Sequence, residues 1–246
     1  MELLHVSDLH ITEQGQHPRL AYEHRTVIAT GDVTDNGTRE EYEAATRVLA
    51  PLVVTGLHLC PGNHDHGYLG NLWTPSCERR WWEFASLMGN AWYTELEEKR
   101  GGEVVSRVHL FCLDSCLPTT HPLDFACGEV GQRQLQALDM MLTTIEVARR
   151  SVPGHDIDKV IVALHHHPFI HTDPTMKLMD DEAFFRVLAG RVDLVLFGHK
   201  HAQRVYYHRH GVRMWLAAAK YPKGQWAITI HGDHLGIEKE ESDGCG

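Results

Sequence analysis

Short apolar runs alternate with segments of helical periodicity along the chain. The runs that have the length and apolar content of buried strands are 2–7, 26–30, 52–59, 104–113, 159–164, 192–197, 213–218 and 225–231. Helical spacing predicts helices that begin at the capping box Thr38–Glu41 and stop before Pro51, and helices over 81–88, 132–149 and 181–189. Strands alternate with helices early and dominate late, which predicts an α/β chain of mixed sheets with helices outside.

The chain shows no repeat, linker or low-complexity block, so the pattern predicts one domain over residues 1–246, with 238–246 as a frayed tail. Hydrophobic residues make up 43% of the chain and charged residues 23%, as in globular proteins. No run approaches the roughly 18 apolar residues of a membrane span. The first residues show no signal peptide, which favours the cytoplasm.

Charge and cysteine content narrow the function classes. The formal net charge is −10, which lacks the basic footprint of a nucleic-acid-binding protein and makes such a partner unexpected. The six cysteines form no C-x-x-C pair, and the chain is too long to need disulfides for stability. We therefore expect reduced cysteines that pack mostly in the core.

Histidine is the unusual residue type, with 20 among 246 positions. Polar clusters follow five of the predicted strands, and because ligands gather at the carboxyl ends of strands in α/β sheets, we expect them to converge. The residues are Asp8, His10, Asp32, Asn63, His64, His166, His199 and His201. They supply enough oxygen and nitrogen donors for two metal ions that share a carboxylate. Such donors suit Mn, Fe, Zn, Ni or Co, and the absence of thiolates argues against a structural zinc site.

These clusters, in this order, resemble the signature of the calcineurin-like metallophosphoesterases. The matching motifs are Asp8-x-His10, Gly31-Asp32, Gly62-Asn63-His64-Asp65, His166 and Gly198-His199-x-His201. The resemblance runs from residue 4 to about residue 201. It implies a four-layer α-β-β-α sandwich of two mixed sheets with flanking helices and a dinuclear metal site.

The resemblance also implies a ligand for each metal. The first metal would be held by Asp8, His10, Asp32 and His201, and the second by Asp32, Asn63, His166 and His199, with Asp32 as the bridge. His166 is chosen because the family's ligand usually lies two residues before the proline, here Pro168. His165 and His167 are expected to support or pack around the site.

The implied reaction is attack on phosphorus by a metal-bridging hydroxide. Asn63 and His64 would contact the substrate, and His64 would steady the phosphate or protonate the leaving oxygen. By its alignment with some relatives, Asp35 is expected to orient His64. The alternative is that Asp35 is an ordinary turn residue in Asp35-Asn36-Gly37.

The same motifs indicate a branch of the family. Phosphoprotein phosphatases usually have arginine where this chain has Asn36, and glutamate where it has Asp65. The pattern is more similar to the cyclic-nucleotide and glycerophosphodiester phosphodiesterases. We therefore expect hydrolysis of small phosphodiesters, possible substrates being 3′,5′-cyclic nucleotides. The alternatives are a phosphomonoesterase or nucleotide pyrophosphatase with the same site and, ranked lower, a nuclease or a non-catalytic scaffold.

One departure from the family concerns the connection between the first two strands. Asp8 and Asp32 lie only 24 positions apart. The intervening residues are close to the roughly 10–12 that a parallel crossover needs, so the first helix is expected to be short or absent over 11–25.

Overall fold

A computed structural model describes residues 1–14, 25–68, 72–117, 126–170, 173 and 175–240. The strands are β1 Glu2–Val6, β2 Thr26–Thr30, β3 Leu57–Cys60, β4 Gly67–Tyr68, β5 Leu72–Trp73, β6 Tyr93–Arg100, β7 Glu103–Cys112, β8 Lys159–Ala163, β9 Leu194–Phe197, β10 Arg204–Arg209, β11 Val212–Ala217, β12 Gln225–His231 and β13 His234–Glu240. The α-helices are α1 Arg39–Leu49, α2 Pro75–Leu87, α3 Gln132–Ser151 and α4 Asp181–Leu188. Two 3₁₀ helices cover Ala50–Val53 and Asn63–His66.

The strands form two mixed sheets and one short hairpin. The first sheet has the order β13-β12-β1-β2-β3, in which β1, β2 and β3 run parallel. The second has the order β10-β11-β9-β8-β7-β6, in which β7, β8, β9 and β11 run parallel. Strands β4 and β5 pair only with each other. Each sheet therefore contains a run of adjacent parallel strands, whose ends can carry a common site.

The buried side chains form three layers of core. One cluster joins α1 and α2 to the first sheet, and a second joins α3 and α4 to the outer face of the second sheet. A third lies between the two sheets. In β8 the alternation of a strand is visible, because Val160 and Val162 face the helices while Ile161 and Ala163 face the other sheet. The predicted α-β-β-α sandwich is confirmed.

The start of α1 shows how the local sequence sets an element. The Thr38 hydroxyl accepts a hydrogen bond from the Glu41 backbone N–H at 3.2 Å, and the Glu41 carboxylate accepts one from Thr38 N–H at 3.1 Å. This reciprocal pair satisfies two donors at the helix start. The helix ends at Leu49, before Pro51, as the sequence predicted.

Two predictions differ from the structure. The apolar run 52–59 is only partly strand, because a 3₁₀ helix occupies its start and β3 begins at Leu57. Residues 238–240 belong to β13 rather than to a frayed tail, and 241–246 lie outside the described residues. The short first helix expected within 11–25 also falls mostly outside them. Among the described helices, none is both long and apolar enough to cross a membrane.

Candidate metal centre

The predicted site residues follow the carboxyl ends of parallel strands in both sheets. The turn after β1 runs beside the turn after β2, because Asp8 N–H donates to Gly31 O at 3.0 Å and His10 N–H donates to Asp32 O at 2.8 Å. The second sheet contributes the residues after β8 and β9. The His199 N–H donates to Asp8 Oδ2 at 3.2 Å, which joins the two sheets at the site.

Left-handed backbone marks most of these residues. Seven described non-glycine residues have positive φ, and five of them are predicted ligands, with φ between 46° and 74°: Asp8, His10, Asp32, His199 and His201. Such conformations are uncommon for residues with a Cβ, and they concentrate at functional sites. At Gly198 a Cβ would lie 2.5 Å from Asp8 Oδ2, so only glycine fits beside that carboxylate. The backbone is therefore shaped around the ligands.

A first group of ligand atoms converges as predicted. One atom each from Asp8, His10, Asp32 and His201 lies within 4.8 Å of the others. The Nε2 atom of His201 is 3.2 Å from Asp8 Oδ1 and 3.4 Å from His10 Nε2. These donors are oxygen and imidazole nitrogen, the set that first-row transition metals take.

Asp32 lies between this group and a second one. Its Oδ1 atom accepts a hydrogen bond from the His64 backbone N–H at 3.0 Å. Its Oδ2 atom is 3.8 Å from His10 Nε2 and 3.3 Å from His165 Nε2. A single carboxylate oxygen therefore faces both groups, which is the arrangement that a bridging ligand requires.

The second group centres on His165. The His165 Nδ1–H donates to Thr30 O at 2.8 Å, which leaves Nε2 pointing inward. That Nε2 atom lies 3.1 Å from Asn63 Oδ1 and 3.1 Å from His199 Nδ1. Asn63 and His199 belong to the second ligand group predicted from the sequence, whereas His165 was predicted only to support or pack around the site.

His166, the predicted ligand, is placed differently. Its Nδ1 atom is 2.9 Å from Ser115 Oγ, and its buried Nε2 atom has no hydrogen-bond partner among the described residues. His167 packs against Phe197, and its Nδ1 atom accepts a hydrogen bond from Phe169 N–H at 3.1 Å. Three histidines in an irregular turn point in three directions, so the distance to Pro168 does not identify the one that faces Asp32.

The electrostatics of the cluster favour a cation. Burial lowers the pKa of His166 and His199 well below the ordinary value, so both rings are neutral and can offer lone pairs. Burial opposes ionisation of Asp32, but His165 holds the Asp32 pKa well below its usual range. Burial also opposes the charge on His165, yet the Asp32 carboxylate raises the His165 pKa to about 9. A proton on His165 therefore lies among the acceptor atoms of the second group, in the place where a metal would bind.

Asp35 contacts two histidines of the site. Its Oδ1 atom is 3.0 Å from His10 Nδ1, the geometry of a carboxylate that orients a metal-binding imidazole. Its backbone carbonyl accepts a hydrogen bond from His64 Nδ1 at 2.6 Å. The contact with His64 therefore uses the main chain, and the carboxylate faces His10.

Asp65 is a site residue to which the sequence analysis gave no role beyond the motif. It is fully buried, and its carboxylate accepts hydrogen bonds from the backbone N–H groups of Val33, Thr34 and Gly62 at 2.8–3.1 Å. These bonds fasten the turn that carries Asn63 and His64 to the turn that carries Asp32. The fourth position of Gly-Asn-His-Asp was the available signal.

Comparisons with solved structures agree with this fold. A dimetal phosphatase from Danio rerio is 16% identical and has a TM-score of 0.58, with 97% of this chain and 95% of that chain covered. A phosphopantetheinyl hydrolase from Mycobacterium tuberculosis is 13% identical and has a TM-score of 0.51, with 98% and 96% covered. A 5′-nucleotidase from Candida albicans is 12% identical and has a TM-score of 0.55, with 97% of this chain but only 50% of that chain covered. At these identities the likeness establishes the fold alone.

Comparison by sequence gives the family. No curated protein matches the chain. A family model described as calcineurin-like phosphoesterase matches residues 1–203, which contain every residue of the two ligand groups. The superfamily includes metal-dependent phosphoric ester hydrolases that use two transition-metal ions. The match covers most of the chain, and the chain therefore belongs to the calcineurin-like phosphoesterases.

Proposed function

We propose that the protein is a dinuclear metal-dependent phosphodiesterase that hydrolyses small phosphodiesters, with 3′,5′-cyclic nucleotides among the candidate substrates. The observation that carries the proposal is the position of Asp32 Oδ2, which faces His10 on one side and His165 on the other. We assign Asp8, His10, Asp32 and His201 to the first metal. For the second we assign Asp32, Asn63, His165 and His199, with His165 in the place expected of His166.

The chemistry of the donors supports two transition-metal ions. Ionised Asp32 and the imidazoles, with His165 giving up its proton to the metal, offer lone pairs toward common points, and no sulfur takes part, so Mn, Fe, Zn, Ni or Co would fit. When bound, such a pair supplies charge to neutralise phosphate oxygens and makes water acidic enough to attack at neutral pH.

The chain's own residues supply orientation and a proton. Asp35 holds the His10 ring through Nδ1, and its carbonyl fixes the His64 tautomer by accepting from Nδ1. With Nδ1 used in this way, Nε2 is the His64 nitrogen available to the substrate. We assign to the doubly protonated His64 the steadying of the phosphate through Nε2–H and the transfer of that Nε2 proton to the leaving oxygen, which leaves a neutral ring with Nδ1–H on Asp35 O.

Diester specificity is supported by the sequence motif, through Asn36 and Asp65 and the histidines before Pro168. The alternative is a phosphomonoesterase or nucleotide pyrophosphatase that uses the same residues. The names of the similar structures, a phosphatase and a 5′-nucleotidase among them, favour keeping this alternative. We also propose a reducing compartment such as the cytoplasm, because Cys60, Cys77, Cys112 and Cys116 form no disulfide.

The first experiment compares bis-p-nitrophenyl phosphate with p-nitrophenyl phosphate. Metal-free protein receives Mn²⁺, and Asn63→Ala is assayed beside His234→Ala, a control at an exposed histidine in β13. We expect metal-dependent activity that prefers the diester and that only Asn63→Ala abolishes. Preference for the monoester would establish the alternative, and inactivity with every metal would refute both.

A second experiment decides which histidine binds the second metal. His165→Ala and His166→Ala are compared for bound metal after dialysis. We expect His165→Ala to retain one metal ion fewer than the wild type, while His166→Ala retains as many as the wild type. The reverse result would restore the assignment made from the sequence.

A third experiment tests the proton donor. His64→Ala should slow hydrolysis of an alkyl phosphodiester by about 10²–10⁴-fold, because an alkoxide leaves poorly without a proton. Hydrolysis of bis-p-nitrophenyl phosphate should slow far less, since p-nitrophenolate leaves without help. Equal losses with both substrates would remove the acid role from His64.

A further inference from the structure

A second cluster of metal-binding side chains lies beside the dinuclear centre. One donor atom each from His66, Asp114 and Cys116 lies within 4.8 Å of the other two. His66 ends the 3₁₀ helix Asn63–His66, whereas Asp114 and Cys116 follow β7. The cluster therefore draws its three donors from both sheets, and it shares no ligand with the two groups described above.

His66 is the observation that points to a ligand. The residue is only 4% exposed, and neither of its ring nitrogens has a hydrogen-bond partner among the described residues. Leaving a buried imidazole without hydrogen bonds costs free energy, so a native structure rarely does so without a purpose. The Nε2 atom is 4.0 Å from Asp114 Oδ2, which directs the ring into the cluster.

Asp114 and Cys116 are held in place by hydrogen bonds to their backbone groups. Asp114 is fixed by Gln134, whose amide accepts from Asp114 N–H at 3.1 Å and donates to Asp114 O at 2.7 Å. Asp114 Oδ1 accepts from Cys116 N–H at 2.8 Å, which leaves Oδ2 facing His66. Between them, Ser115 points away and contacts His166. Asp114 and Cys116 thus face the cluster, while Ser115 between them faces His166.

The donor set identifies the class of metal. Imidazole, carboxylate and thiolate together suit Zn²⁺ and similar ions, and three protein ligands leave one coordination position open. Tetrahedral zinc with bonds of about 2.0–2.3 Å places its ligand atoms about 3.3–3.8 Å apart, so the 4.0 Å between His66 and Asp114 needs only a small rotation. Asp114 also lines a cavity of about 210 Å³ whose walls include Trp81, Trp82 and Trp92. That cavity therefore meets the cluster at Asp114.

We propose that His66, Asp114 and Cys116 form a third metal site, which binds one Zn²⁺ or a chemically similar divalent ion independently of the dinuclear centre.

The thiolate gives this site a signature of its own. A Co²⁺ ion bound to a thiolate shows a charge-transfer absorption in the near ultraviolet, and the residues assigned to the dinuclear centre contain no sulfur. Metal-free wild-type protein is titrated with Co²⁺. We expect three equivalents of cobalt to bind, and the final absorption to have the intensity of one thiolate-bound Co²⁺ ion per chain. A wild type without the absorption would refute the proposal, whatever its activity.

Variants locate the site. Cys116→Ala should lose the absorption and one of the three bound equivalents, and Asp114→Asn should weaken cobalt binding at least about 10-fold, because loss of even a supporting partner costs 10–100-fold. Cys112→Ala is the matched control, since Cys112 lines the same cavity outside the cluster. Asp32→Asn should keep the absorption. Retention of the absorption in Cys116→Ala, or its loss in Cys112→Ala or Asp32→Asn with circular dichroism unchanged, would overturn the proposal.

Discussion

The two ends of strand β8 carry buried groups of the same residue types in opposite arrangements. Before β8, the Asp158 carboxylate accepts from Arg107 Nη1 at 2.9 Å, His109 Nε2 at 2.9 Å and His155 Nδ1 at 2.8 Å. After β8, His165 Nε2 is surrounded by the oxygen and nitrogen acceptors of the second ligand group. Before β8, the Asp158 carboxylate receives hydrogen bonds from donors. After β8, several acceptor atoms lie close to one another around His165.

The difference separates a structural cluster from a functional one. Burial and Glu95 raise the Tyr93 pKa to about 12, so the Tyr93 hydroxyl stays protonated; it lies 2.9 Å from His109 Nδ1 and donates to Glu95 Oε2 at 3.4 Å. His109 Nε2–H donates to Asp158, and the network is complete without a ligand. In the function proposed above, metal ions complete the centre after β8. Composition alone does not distinguish the two, whereas counting donors and acceptors does.

The largest effect is expected at Asp32, which contacts the residues after β8. Asp32→Asn keeps the shape of the side chain but removes the charge of the oxygen that faces both ligand groups. We expect kcat to fall on the order of 10³-fold, because the charge stabilisation that two metals provide is worth several kcal/mol. The measurement is Mn²⁺-dependent hydrolysis together with metal content. Asp156→Asn, at an exposed position, is the control and should leave both the rate and the metal content unchanged. A rate for Asp32→Asn within about 3-fold of the wild type would contradict a functional role for the residues after β8.

The next effect concerns the structural end. Asp158→Asn should lower the free energy of unfolding by about 1.5–3 kcal/mol, since it removes the charge from a buried hydrogen-bond acceptor of Arg107, while Arg107 keeps its ion pair with Glu97. Metal content and kcat of the folded fraction should not change. Urea unfolding of metal-free protein measures the loss, again beside Asp156→Asn. A variant that unfolds like the wild type but binds less metal would mean that the roles of the two ends are exchanged.

A smaller effect is expected where a carboxylate supports a ligand. Asp35→Ala removes the acceptor of His10 Nδ1 and should weaken metal binding by about 10–100-fold. The backbone carbonyl that orients His64 remains, so kcat at saturating metal should fall less than the affinity does. Activity as a function of free Mn²⁺ separates the two quantities. A fall in kcat at unchanged metal affinity would place the function of Asp35 at His64 instead.

The smallest effect is a pH dependence. Burial opposes the ionisation of Asp158, but hydrogen bonds from His109, His155 and Arg107 lower the Asp158 pKa below its ordinary value. The stabilisation is therefore present above the unfolded pKa of about 3.9 and is lost as the pH falls through the folded value, with a slope of at most about 1.4 kcal/mol per pH unit. Unfolding free energies between pH 7 and 3 should fall more steeply at the acid end for the wild type than for Asp158→Asn. Parallel curves would show that Asp158 titrates normally.

The sequence predicted the parts of the molecule that local patterns determine. Buried strands and the turns after them place Asp8, Asp32 and His199, because those residues directly follow apolar runs. The edge strands β6, β10 and β13 were not predicted. Their side chains are largely exposed and often charged, as in Tyr93–Arg100, so they lack the apolar signal of a central strand.

Tertiary contacts decided the remainder of the site. Whether His165 or His166 faces Asp32 depends on Thr30 O and Ser115 Oγ, each of which holds one ring and lies far away in the chain. His66 is visible as a residue near the Gly-Asn-His-Asp motif, but its lack of hydrogen-bond partners appears only when both sheets are assembled. Long-range partners of this kind leave no periodic trace in a sequence.

The left-handed backbone at Asp8, His10, Asp32, His199 and His201 has a consequence for how this protein can evolve. Asparagine tolerates that conformation better than most residues, and in the genetic code both aspartate and histidine are one nucleotide change away from it. The same five positions therefore offer short mutational routes to chains that keep the turn but lose a charged or imidazole ligand. Loss of catalysis with retention of the fold is thus genetically close, and a gene duplicate released from selection for hydrolysis could become a binding protein by a few single-nucleotide steps.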